Sequence, residues 1–68
     1  MEKHYERIGG VSALDGQGRP HRFDTLRDGE DYRVLLDGEV LCAGCTLRDA
    51  ISLIREEGAR RGYRRKGA

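Results

Sequence analysis

The chain has 68 residues, 13 of them Lys or Arg and 12 Asp or Glu, for a formal net charge of +1, with 37% hydrophobic and 37% charged residues. A chain this short has room for one domain and buries only about 60% of its unfolded surface, which leaves no depth for the rigid surround of a large catalytic cleft. Its Val, Leu and Ile alternate too regularly for a disordered polyelectrolyte, and no run approaches the ~20 apolar residues of a membrane span.

The start, Met1-Glu2-Lys3-His4, lacks the apolar run of a secretory signal, so the expected location is cytoplasmic, with no membrane association. Charge is unevenly placed. Residues 1–59 hold 8 Lys/Arg against 12 Asp/Glu, whereas residues 60–68 hold 5 Lys/Arg and no acid. An acidic body precedes a basic tail.

Asp-Gly dipeptides at 15–16, 28–29 and 37–38 supply residues that tolerate tight turns, and they cut the first two-thirds into strand-sized pieces. Residues 5–14, with Ile8, Val11, Ala13 and Leu14, form the first predicted strand, with a bulge or bend at Gly9-Gly10. Pro20 can only start or edge the next, over 21–26. His21 beside Arg19, Arg22 and Asp24 has the chemistry of a general base, but local spacing brings it no nucleophile. A surface histidine on an edge strand is the expectation. Gly16-x-Gly18 lacks the third glycine and following helix of a dinucleotide site and reads as a turn.

Residues 31–36 and 39–43 flank Asp37-Gly38 as a two-residue hairpin. Regular pairing sets Leu36 opposite Glu39, Leu35 opposite Val40, Val34 opposite Leu41, Arg33 opposite Cys42 and Tyr32 opposite Ala43. One face then holds Tyr32, Val34, Leu36, Leu41 and Ala43; the other holds Arg33, Leu35, Val40 and Cys42. Cys42-Ala43-Gly44-Cys45 is a C-x-x-C. Thr46 takes the helix cap that a low-pKa redox cysteine would need, and no second ligand pair completes a zinc site. Structural, reduced thiols are expected, with no metal, no cofactor and no catalytic residue.

Thr46 is the predicted N-cap of a helix running to about residue 60, with Asp49 standing in for the Glu of a capping box. Leu47, Ala50, Ile51, Ile54 and Gly58 form its apolar stripe, and Gly62 is the expected stop. The fold class is therefore α+β: a small antiparallel sheet of three to four strands, a β-meander, followed by one C-terminal helix packed on one face. The domain is expected over 1–62, with a basic tail at 63–68.

One helix covers one face of a small sheet, so the set Arg33, Leu35, Val40 and Cys42 is the predicted partner-binding surface, for a second copy or for a different protein. The alternative interface is the basic end. Arg60, Arg61, Arg64, Arg65 and Lys66 could meet phosphates while Tyr63 stacks on a base, making a small nucleic-acid-binding regulator.

The Asp-Gly hairpin and Thr-capped helix over residues 32–60, in a chain of this length, resemble the accessory proteins of bacteriophages and mobile elements, including anti-CRISPR proteins. The strand–strand–helix ending is also similar to small antitoxin and regulator domains. The first resemblance implies a stoichiometric, non-enzymatic inhibitor or adaptor that occludes a site on a larger machine, and it carries no site residues over.

Overall fold

The computed structural model describes residues 5–65. Strands β1 (Glu6–Leu14), β2 (Pro20–Asp28), β3 (Asp31–Leu36) and β4 (Glu39–Cys45) precede helix α1 (Leu47–Arg60) and a two-residue β5 (Arg64–Arg65). All pairings are antiparallel, in the order β4-β3-β2-β1-β5. The α+β meander is thus as expected, with a fifth strand added at the far edge. α1 carries the chain back from the β4 edge to the β1 edge.

Each Asp-Gly dipeptide lies at a strand junction. Asp37 and Gly38 both have positive φ, 51° and 88°, the pattern of a type I′ turn matched to strand twist. In the first loop Asp15 Oδ1 accepts the N–H groups of Gln17 and Arg19 at 2.8 and 2.9 Å, so a side chain replaces the missing ladder partner. β1 is bulged at Ile8, between the Arg7 and Gly9 pairings, one residue before the expected glycines.

β4 departs from regular pairing twice. Leu36 faces Glu39 and Leu35 faces Val40, but Val34 then faces Cys42, Arg33 faces Ala43 and Tyr32 faces Cys45. Leu41 and Gly44 are the extra residues. Because each bulge sets two residues against one, the side-chain alternation beyond it is reset. Cys42 therefore packs against the core beside Leu41, and Ala43 is exposed. The expected faces of these two residues are exchanged.

The helix boundaries follow the predicted caps. Thr46 Oγ1 accepts the Asp49 N–H at 3.1 Å. At the other end the Gly62 N–H donates to Ala59 O at 3.1 Å and the Tyr63 N–H to Gly58 O at 2.8 Å. That paired closure needs a left-handed residue, and Gly62 provides it with φ 73°. The turn sends Tyr63 back onto the sheet.

Phe23, Val34, Leu36, Cys45 and Ala50 form the buried core, with Val11, Leu41, Cys42, Leu53, Ile54 and Tyr63 packed around it. Each large side chain so buried contributes about 1.5–3 kcal/mol. The helix contact line differs from the expected stripe. Ala50 is fully buried while Leu47 and Ile51 stay 42% and 53% exposed. Ala50 has no side chain beyond Cβ, so the helix backbone settles closest there. Leu53 and Ile54 then fall on its two flanks, and Leu47 and Ile51 rotate outward.

Candidate functional site

The sheet face away from α1 is built in cross-strand rows. Gly10, Asp24, Leu35 and Val40 form one, and Arg7, Leu26, Arg33 and Ala43 the next. Val40 is 51% exposed, and Leu35 and Leu26 are half-buried. Three apolar side chains thus lie side by side on the uncovered surface. Leu26 is not among the residues expected on this surface; its place opposite Arg33 depends on the register of β2 against β3.

This strip has charged flanks. The Arg33 guanidinium lies 4.8 Å from the centroid of the Tyr5 ring, within cation–π range. Its Nε is buried and meets no acceptor among the described residues. Toward β1, Asp24 Oδ1 accepts from Arg7 Nε and Arg22 Nε, both at 3.0 Å. The three groups close over Gly10, where a Cβ would stand 2.5 Å from Arg7 Nη2 and 3.0 Å from Arg22 Nη2. Of the four residues predicted for this surface, Arg33, Leu35 and Val40 belong to it. Cys42 does not, because the bulge at Leu41 turns it toward the core.

The basic residues expected at the other interface are divided among different tasks. Arg60 donates to Glu57 through Nε at 3.0 Å and through Nη2 at 2.6 Å, and Arg61 Nη2 adds a contact at 3.1 Å. The two arginines, Arg60 first, hold the Glu57 carboxyl below its usual pKa. Tyr63 is stacked on His21, with centroids 4.6 Å apart and planes 9° from parallel, and tilts against Phe23 at 6.2 Å. One face of its ring is thus taken by His21. Arg64 and Arg65 are exposed in β5, paired with Leu14 and Ala13. Lys66 lies outside the described residues.

His21 sits on β2, an interior strand and not the expected edge. Its Nδ1 donates to Asp37 Oδ2 at 2.6 Å and its Nε2 to Asp15 Oδ2 at 2.9 Å. A carboxylate at each ring nitrogen favours the doubly protonated imidazolium, in which both nitrogens donate. The bond to Asp37, then that to Asp15, raises the His21 pKa above its ordinary value. In return Asp15 is lowered to about 2, first by His21 and then by the Arg19 backbone; His21 and the Arg22 N–H lower Asp37. In its protonated form the ring offers no lone pair to a proton or a metal. It fastens the two turns together.

Burial, and then the neighbouring Cys42 thiol, pushes the Cys45 thiol up to about 11. Its Sγ donates to Tyr32 O at 3.3 Å. At neutral pH Cys45 is a protonated, weakly nucleophilic core residue. Among the described residues no group of three or more His, Cys, Asp and Glu is arranged to hold a metal ion, and no helix is long and apolar enough to cross a membrane.

No protein-family model matches the chain, and neither a curated protein nor a solved structure matches it.

Proposed function

We propose that the chain is a non-enzymatic protein-binding module, a stoichiometric inhibitor or adaptor of the anti-CRISPR-like kind, working in the cytoplasm by occluding a site on a larger complex. The observation that carries this reading is the uncovered strip of Leu26, Leu35 and Val40, flanked by Arg33 with Tyr5 on one side and by the Arg7–Asp24–Arg22 cluster on the other. An apolar centre with a rim of arginine and tyrosine is the composition that stable protein interfaces favour. The engagement of both His21 ring nitrogens by carboxylates, and the burial of a Cys45 thiol raised to about 11, favour binding over catalysis.

The alternative, a nucleic-acid-binding regulator, keeps weaker support. Of its described residues only Arg64 and Arg65 stand exposed without a carboxylate held against them, since Arg60 and Arg61 serve Glu57 and Tyr63 is stacked.

Affinity capture from host lysate with the wild-type chain and with Leu35→Lys/Val40→Thr tests the reading. A protein partner retained at one-to-one stoichiometry by the wild type and lost by the folded double variant is the expected result. Val40→Lys alone, at the more exposed position, serves if the double variant loses stability. Retention of the partner by both folded variants, or capture of nucleic acid alone, would overturn the proposal. Capture of a second copy of the chain identifies the surface as a homodimer interface instead.

A further inference from the structure

On the helix side of the sheet, α1 packs chiefly on β3 and β4. The β1–β2 half of that face is left under a cleft of about 400 Å³, floored by Val11, Ala13 and Phe23 and walled by Ile51 and Ile54 of the helix. Ile51, 53% exposed, faces this space because the helix turned on Ala50. The charged residues lining the cleft are all arginines: Arg55 of α1, and Arg64 and Arg65 of β5.

Among the described residues no carboxylate stands within ion-pair distance of these three. The two helix acids next to Arg55 are engaged or turned elsewhere. Glu57 is held by Arg60 and Arg61, and Glu56 lines a depression on the opposite flank with Leu41 and Leu53. An apolar hollow ringed by unneutralised guanidinium groups is complementary to a ligand with an apolar centre and carboxylates on either side.

We propose that this cleft is a docking site for an acidic peptide segment of a partner protein, in which one or two large apolar residues are flanked by Asp or Glu. The volume suits one or two such side chains. The guanidiniums provide forked donors for carboxylates at the rim. A nucleic-acid strand fits less well: Phe23 in the floor is buried and the Tyr63 ring already stacks on His21, so neither aromatic offers an open platform for a base. The cleft lies across the sheet from Leu35 and Val40 and does not rest on the reading of that surface.

The test is a titration of the full isotope-labelled chain, followed through backbone amide resonances. The probe is the blocked peptide Glu-Asp-Leu-Phe-Asp-Glu; the controls are Glu-Asp-Ser-Ser-Asp-Glu and an eight-residue oligothymidylate. Saturable shifts at Val11, Ala13, Ile51, Ile54 and Gly58 are expected with the first peptide, with affinity at least tenfold above that of the serine control. Ile51→Glu and Arg65→Glu, both at exposed positions, should each weaken it tenfold or more while leaving the melting temperature unchanged. Absence of saturable shifts at those residues up to millimolar peptide overturns the proposal, as does equal binding of the serine peptide. Tighter binding of the oligothymidylate that is indifferent to Ile51→Glu overturns it in favour of a phosphate-binding surface.

Discussion

The His21 ring lies parallel to the Tyr63 ring at 4.6 Å, so the residue that leaves the helix is fastened to the first turn of β2. The Gly62 closure aims Tyr63 there, and Phe23, buried beneath, gains a lid. Tyr63→Ala removes both the stack and the lid and should cost about 2–3 kcal/mol. Tyr63→Phe, which keeps the ring, should cost less than about 1 kcal/mol, and Arg64→Ala or Arg65→Ala should stay within about 0.5 kcal/mol. Urea unfolding of the four variants checks the order. Equal losses for Tyr63→Ala and Arg64→Ala would show a loosely attached tail.

The charged button formed by Asp15, His21 and Asp37 sets the pH dependence of stability. His21 has a raised folded pKa, so its contribution is complete below its unfolded value of about 6.5 and is lost as pH rises through the folded value. Asp15 and Asp37 have lowered folded pKa values, about 2 for Asp15. Their contribution is present above an unfolded value of about 4 and is lost as pH falls through the folded ones. The melting temperature should therefore be highest between about pH 4 and pH 6.5 and fall on both sides. His21→Gln should flatten the decline that begins near neutrality. A wild-type melting temperature that climbs from pH 6 to pH 9 would contradict this arrangement.

Much of the architecture is legible in the residue pattern because its signals are local. The Asp15-Gly16 and Asp37-Gly38 turns, the Thr46 cap and the Gly62 stop each act within a few residues and are found where the pattern puts them, while the middle turn falls one residue later, on Gly29-Glu30. What the pattern misses is set by tertiary choices. Gly44, with φ 70°, is a local sign of the second bulge, but nothing in the Val40-Leu41-Cys42 run marks the first. The His21 button was within reach of topology. In a meander the first and third turns share one end of the sheet, so Asp15 and Asp37 must flank the start of β2. Local signals place the two turns but not the register that brings both carboxylates onto His21. Arg33, Leu35 and Val40 share the face away from α1, and Leu26 joins them through the β2–β3 register, which no local signal gives.

Cysteine reactivity separates a packed C-x-x-C from a chemically active one. With Cys45 raised from 9.0 to about 11 by burial and by the Cys42 thiol, its thiolate population at pH 8 is about a hundredfold below that of the unperturbed thiol. Labelling with a maleimide, read by mass spectrometry after digestion, should show Cys45 modified about a hundredfold more slowly in the native chain than in urea. Rapid native labelling of Cys45 would mean that the thiol is neither buried nor suppressed.

The bulged hairpin makes opposite predictions from a regular one at two adjacent residues. Under regular pairing Ala43 faces the core and Cys42 the open surface; with Leu41 and Gly44 as extra residues, Cys42 packs beside Val34 and Ala43 points away with Arg33. A large charged side chain therefore discriminates the registers. Ala43→Arg adds it to an exposed position and should change stability by no more than about 0.5 kcal/mol. Cys42→Arg replaces a half-buried thiol beside Val34 with a side chain that must thread past Leu41 and Leu53 to reach Asp49 and Glu56 at the rim, which should cost about 1–3 kcal/mol. Cys42→Ser, a gentler change, keeps the comparison measurable by adding one hydroxyl to the same packing, at about 1–2 kcal/mol. Chemical unfolding of Ala43→Arg and Cys42→Ser side by side decides the register. If Ala43→Arg is the more damaging of the two, the strand pairs without its bulges, Cys42 returns to the open face, and the surface built around Leu35 and Val40 must be redrawn to include it.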